Sequence, residues 1–201
     1  MANPQKAKGD KAEREAVLVF QQLVPELLCP DPMRKLGAGR KHDVGDLDVL
    51  TDAVVQVKSW NAVGAAVRSG ALGAQQQAAN ARLHLHTGMV KIPGVRGAGV
   101  RWVAATTSWP GGRPADDELA LFALVPAALN HVRRDNLGVP RIRRVAAVRY
   151  AGTPEILVAP IEAWLHAYRS VVEGRCPSCG LGTEHVAAHV PGEPPAIALA
   201  G

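Results

Sequence analysis

The sequence predicts an α/β domain built on a small mixed sheet flanked by helices. Three observations carry that reading. Segments with apolar residues at helical spacing alternate with short β-branched runs along most of the chain. From Asp46 to Lys58 the residues alternate with period two on either side of Thr51-Asp52, a short turn that makes the two strands antiparallel neighbours. No glycine fingerprint follows a first strand, which disfavours a purely parallel dinucleotide-binding fold.

Residues 1–9 are expected to form a short basic arm. Asp10 then offers a carboxylate to the free amides of a first helical turn. In KAEREAVLVFQQLVPELL the apolar positions Ala12, Ala16, Val17, Phe20 and Leu23 recur at helical spacing, with Glu13 near the start and Pro25 ending the regular part. CPDPMRKLGAGRKHDVG, residues 29–45, reads as a loop. In the hairpin, Leu47 and Val49 alternate with Asp46 and Asp48, and Val55 and Val57 alternate with Gln56 and Lys58. Residues 61–87 read as a helical region loosened by Gly64, Gly70 and Gly73. A glycine-rich turn from Pro93 to Gly99 leads to the strand VRWVAATTS. DELALFALVPAALNHV, residues 117–132, reads as a helix with a proline in its middle, and RIRRVAAVRY as a further strand. A short apolar stretch after Thr153 precedes a helix at IEAWLHAYRSVV. The expected organisation is an arm over 1–9, an α/β domain over 10–172 and a tail over 173–201.

With 201 residues, 47% of them hydrophobic, the chain can bury a core without disulfide staples. Its formal charge of +5 permits a polyanionic partner without requiring one. Three cysteines, Cys29, Cys176 and Cys179, cannot make a disulfide framework, which fits a reducing compartment. The N-terminus has no apolar core of a secretory signal, and no apolar run reaches bilayer length. A cytoplasmic location is expected.

The aspartates, glutamine and lysine of the hairpin are either solvated strand residues or a metal site. Hydrolysis of a phosphodiester needs an activated water, stabilisation of the charge on phosphorus and help for the leaving oxygen. Magnesium or manganese serves these needs when hard oxygen ligands hold it. Asp46 and Gln56 supply side-chain oxygens, the Val57 carbonyl supplies another, and Lys58 an ammonium group.

Asp-x(9)-Gln-x-Lys resembles the core of the PD-(D/E)xK nuclease superfamily, in the branch where glutamine replaces the middle acid. The chain is most similar within it to archaeal and phage-type Holliday junction resolvases. In that family a lysine-glycine pair precedes a helix bearing a glutamate four residues on; KGDKAERE matches, with Glu13 as the acid. LGAGRKHDVGD matches the basic loop before the acidic strand, and VVQVKSW the E-x-K strand. The helix that follows often carries a glutamine, the region of Gln75 to Gln77 here. The resemblance covers roughly residues 6–105. It implies a restriction-endonuclease-like core, catalytic residues Glu13, Asp46, Gln56 and Lys58, and magnesium held by Glu13, Asp46, Gln56 and the Val57 carbonyl. It also implies a homodimer. Three features depart from the pattern. Gly45 stands where proline is usual, Gln56 brings no charge, and Asp48 is an extra acid. Asp43 is a rival for the aspartate role.

Arg34, Lys35, Arg40 and Lys41, with His42, are expected to contact DNA phosphates or to form a solvated loop. Arg134, Arg141, Arg143 and Arg144 form a second basic cluster, read first as surface. Trp60 is expected in the core or at a sheet edge, with base stacking the alternative. CPSCG places Cys176 and Cys179 two residues apart, and His185 and His189 would complete a tetrahedral zinc set in a small C-terminal Cys/His appendage. Two ordinary thiols, or a site completed by another subunit, are the alternatives. The expected function is magnesium-dependent endonucleolytic cleavage of DNA, at Holliday junctions or other branched DNA. The alternatives are a weak or inactive DNA-binding accessory protein for recombination or repair, and an interaction scaffold with a zinc-stabilised tail.

Overall fold

Ala12, Ala16, Phe20 and Val24 are almost wholly buried, so one face of the first helix is committed to the core. In the computed structural model, which describes residues 4–34, 45–94, 99–134, 140–150 and 152–174, that helix, α1, spans Pro4–Leu23. Proline suits a first helical turn, where its missing amide hydrogen has no acceptor in any case. Residues 4–9 of the expected arm are therefore helical, and Asp10 lies within the helix rather than capping it. Pro25 opens a short 3-10 turn, Pro25–Leu27, that closes the segment.

The remaining elements are β1 (Met33–Arg34), β2 (Leu47–Asp48), β3 (Ala53–Lys58), α2 (Val63–Ala81), β4 (Leu85–Lys91), β5 (Trp102–Thr106), β6 (Leu119–Phe122), α3 (Val125–Arg133), β7 (Val145–Val148), β8 (Ile156–Pro160) and α4 (Ile161–Val172). All strands join one eight-stranded sheet in the order β1-β2-β3-β4-β5-β8-β7-β6. The sheet is mixed, as expected, although it is not small. β2 and β3 are antiparallel with Leu47 opposite Val55. β3 and β4 are parallel, with Gln56 opposite Gly88 and Lys58 opposite Val90. β6 and β7 are the other parallel pair.

Two expected helices divide into strand and helix. α2 stops at Ala81 because Arg82 turns left-handed, with φ 57°, and its amide returns to the Ala78 and Ala79 carbonyls. The chain then runs as β4 through residues expected to be helical. In the same way Leu119–Phe122 is strand β6, and Pro126 sits in the first turn of α3 rather than in the middle of a longer helix. The apolar stretch before α4 is β8.

Strand alternation sorts the core into two layers. Leu47, Val55, Val57, Met89 and Ala104 pack with α1 and α4. Val90, Val103, Ala105, Ala146 and Val158 pack with α2 and α3. Glu15 of α1 pairs with Lys91 on β4, and the Tyr168 hydroxyl of α4 donates to Asp52 in the hairpin turn. Burial and Asp52 hold that phenol above its ordinary range. Among the described residues, no helix is long and apolar enough to cross a membrane.

His86, buried on β4, is satisfied as a neutral ring: Nδ1 lies 3.3 Å from the His84 carbonyl and Nε2 2.9 Å from the Thr107 hydroxyl. Burial lowers its pKa from 6.5, and His131 is lowered by burial with help from Arg134 and Arg144. The unfolded chain thus binds protons that the native state refuses. Stability is full above 6.5, the unfolded value, and falls as pH drops below it toward the folded pKa. Denaturant midpoints measured across this window should slope downward on acidification for the wild type. The slope should be shallower for His86→Asn, with His131 contributing to what remains.

Candidate functional site

The candidate site is built around the last three residues of β3. Val55 and Val57 face the α1 layer, so Gln56 and Lys58 must face α2. Burying an amide there requires partners. Gln56 is 7% exposed, and in the orientation that its neighbours satisfy, its nitrogen donates to the Ser69 carbonyl at 3.3 Å. Its oxygen then accepts from Gln77 Nε2 at 2.9 Å and from Lys58 Nζ at 3.1 Å. Gly73 makes room for this amide, since a Cβ there would stand 2.2 Å from it. The Lys58 stem passes Gly70, and its ammonium lies 6.0 Å from the centroid of the Trp60 ring.

Asp46 stands at the edge of the same strand. Its amide donates to the Val55 carbonyl at 3.0 Å, and its Oδ2 accepts from the Val57 amide at 2.7 Å. The carboxylate therefore takes the place of a strand partner beyond the end of β2. In a strand, the amide and carbonyl of one residue point to the same side, so the Val57 carbonyl shares the edge with Asp46. Gly45, just before, has φ 107°, and a Cβ would meet Val54 Cγ1 at 3.0 Å. Proline, the usual residue of the resembled family, cannot adopt that angle. The departure at Gly45 follows from the way this chain enters β2.

Glu13 approaches from α1. Burial raises its pKa most, Asp46 raises it next and Asp10 adds to the rise, while Arg34 opposes them. Arg34 Nη1 lies 2.8 Å from Asp10 Oδ1 and 3.4 Å from Glu13 Oε2. Opposite Leu47 on β1, Arg34 is thus turned toward α1 and engaged with two acids. Sequence reasoning missed this clamp, because nothing local to Arg34 pairs it with Asp10 and Glu13, which lie more than twenty residues earlier.

Glu13 lies near enough to Asp46 for the Asp46 charge to act on its carboxyl, and Gln56, Lys58 and Gln77 are joined by hydrogen bonds. The backbone of Val57 joins the two groups. The Gln56 amide is turned to α2 and not to the carboxylates. Asp48 is exposed; its carbonyl accepts from Cys29 Sγ at 3.3 Å. Burial first, and the Asp48 charge second, raise the Cys29 thiol. Trp60 is 46% exposed, not a core residue. In the second basic cluster Arg134 and Arg143 are exposed, Arg141 lies 3.8 Å from Glu162, and Arg144 is buried. Lys35, Arg40, Lys41, His42 and Asp43, and the Cys176, Cys179, His185 and His189 set, lie outside the described residues.

Among the described residues, no three His, Cys, Asp or Glu side chains gather as a metal-holding group. What the β3 edge offers is two carboxylates and a backbone carbonyl, a hard-oxygen set of the kind that magnesium takes while keeping several waters. Burial first and the Asp46 charge second raise the Glu13 carboxyl, and a divalent cation would relieve the repulsion between the two acids. No protein-family model, curated protein or solved structure matches this chain.

Proposed function

We propose that this protein is a magnesium-dependent endonuclease of the PD-(D/E)xK type that hydrolyses DNA phosphodiesters. The observation that carries the reading is the placement of acids at the edge of β3. Asp46 Oδ2 sits 2.7 Å from the Val57 amide, one residue before Lys58, and the Glu13 carboxyl on α1 is near enough for the Asp46 charge to act on it. The order of the carrying elements supports a restriction-endonuclease-like core: Glu13 on α1, Asp46 and Gln56–Lys58 on the β2–β3 hairpin, Gln77 on α2.

Glu13, Asp46 and the Val57 carbonyl would hold the ion, which when bound polarises water and phosphoryl oxygen. The Lys58 ammonium, on the α2 side at the end of the strand whose edge carries the carboxylates, would steady negative charge as it builds on the phosphate. Gln56 keeps that ammonium in place through its amide oxygen, at 3.1 Å, and so acts here as a positioning residue. Arg34 offsets the charge of Asp10 and Glu13. A homodimer would supply two matched cuts at a four-way junction.

The test is incubation of the full chain with four-way, flap and linear DNA, with magnesium and with chelator. Nicking that requires magnesium is the expected result. Salt-sensitive binding without any cut would instead favour the accessory DNA-binding reading, toward which the uncharged Gln56 leans. Absence of both binding and cutting would overturn the assignment.

A further inference from the structure

Three of the four tryptophans, Trp102, Trp109 and Trp164, are buried, whereas Trp60 is 46% exposed. Single exposed apolar side chains are ordinary on a protein surface, and Leu18, Leu121 and Leu124 are examples here. Trp60 differs from them in what surrounds it. It lies two residues beyond Lys58, whose ammonium is 6.0 Å from its ring centroid. Its other neighbour, Asn61, accepts a hydrogen bond from Lys8 Nζ at 2.8 Å, and the Asn61 carbonyl accepts from the Val63 amide at 3.0 Å. The ring is therefore carried on a short connection between β3 and α2 that is tied at Asn61. One ammonium lies beside the ring and a second lies beside the next residue.

A flat aromatic face flanked by cations is the arrangement that stacks a nucleic-acid base while the charges meet the backbone phosphates. The faces of bases within an intact duplex are covered by their neighbours, so only an unpaired base can use such a face. We propose that Trp60 is a base-stacking platform that selects DNA carrying an unpaired base beside the phosphate held at Lys58. The inference rests on the nuclease reading above and narrows it. The favoured substrates are single strands, flaps and bulges, ahead of fully paired duplex.

The experiment uses the full-length chain with chelator present, so that binding is measured without cleavage. Anisotropy of labelled DNA gives affinity for a single strand, for a duplex with one bulged base and for the same duplex fully paired. Tryptophan emission is followed in the same titrations. With the other three indoles buried, contact quenching reports Trp60. The wild type should prefer the single strand and the bulge, with emission quenched. Trp60→Ala should bind those two about tenfold more weakly or worse, with little change for the paired duplex. Trp60→Phe, which keeps a flat face, should retain part of the preference. Binding without quenching, or a Trp60→Ala variant with the wild-type preference, overturns the stacking role and leaves the nuclease reading intact. If the wild type binds none of the three DNAs at low salt, both fall together.

Discussion

Asp46→Asn should abolish magnesium-dependent cleavage while leaving the protein folded. Two functions meet on this carboxylate. Oδ2 accepts from the Val57 amide at 2.7 Å, which is a structural role that any strand-edge acceptor would fill. Its negative charge adds to the effect of burial on the Glu13 carboxyl, and in the proposed site it would hold the cation. Asparagine keeps an oxygen for the Val57 amide and removes the charge, so it separates the two. Losing an outer-shell partner of a metal ligand costs about 10–100-fold in activity, and loss of a direct ligand should exceed that. Asp46→Ala removes the acceptor as well, and an amide left unpaired there adds a stability loss of about 1–3 kcal/mol. Cleavage assays on both variants, with denaturant midpoints alongside, give the answer. An Asp46→Asn protein that cuts at near the wild-type rate would reduce Asp46 to a cap on the hairpin and remove the basis of the proposed activity. The same variant carries an internal check, since without the Asp46 charge the Glu13 pKa should drop toward its ordinary value.

The hairpin was legible because period-two alternation is local. Leu47, Val55 and Val57 announce a buried face without any knowledge of the rest of the chain. Which helix covers the opposite face is not local. Gln56 and Lys58 turn to α2 only because β4 pairs parallel to β3 and draws α2 across the sheet. β4 itself was hidden. Its first residues continue a helix-friendly run, and what ends α2 is Arg82 in a left-handed conformation, a residue that carries no turn signal of its own. β6 was hidden for a related reason, because the apolar run Leu119–Phe122 merges with α3 across a proline that marks a helix start rather than a kink. At the site, sequence pattern singled out Glu13, Asp46, Gln56 and Lys58 as residues. It did not show that Gln56 would face a helix, or that Arg34 would clamp Asp10 and Glu13. Those contacts join segments far apart in the chain. The glycines of α2 were the missed clue. They read as interruptions, yet the helix runs unbroken through Gly64, Gly70 and Gly73. Glycine in a helix costs about 1 kcal/mol relative to alanine, and here the return is close approach to the sheet.

Gly88→Ala should be among the most damaging single substitutions in this protein, and Gly70→Ala, at the position facing it, should be nearly silent. The asymmetry is geometric. A Cβ on Gly88 would stand 2.4 Å from the Gly70 carbonyl carbon and 2.6 Å from its Cα, which are backbone atoms of a long helix that cannot turn aside. A Cβ on Gly70 would meet nothing nearer than 3.4 Å, ordinary contact with Gly88 and Val90, and alanine would favour the helix. Overpacking of this severity costs about 3 kcal/mol or more, whereas Gly70→Ala should stay within about 1 kcal/mol of the wild type in a denaturant titration. The damage should reach the candidate site. Gly88 is paired with Gln56 across β3 and β4, and α2 rests on Gly88 at the same level at which Ser69, Gly73 and Gln77 enclose the Gln56 amide. Lifting the helix opens that enclosure and frees Lys58 from the oxygen that holds it at 3.1 Å. Gly73→Ala isolates this second effect, because its Cβ would displace only the end of a side chain. That variant should fold with modest loss and lose cleavage more than stability. Were Gly88→Ala to unfold at the same denaturant concentration as Gly70→Ala, α2 would not be seated on the β4 backbone. The account of why a buried glutamine stands beside Lys58 would then have no support.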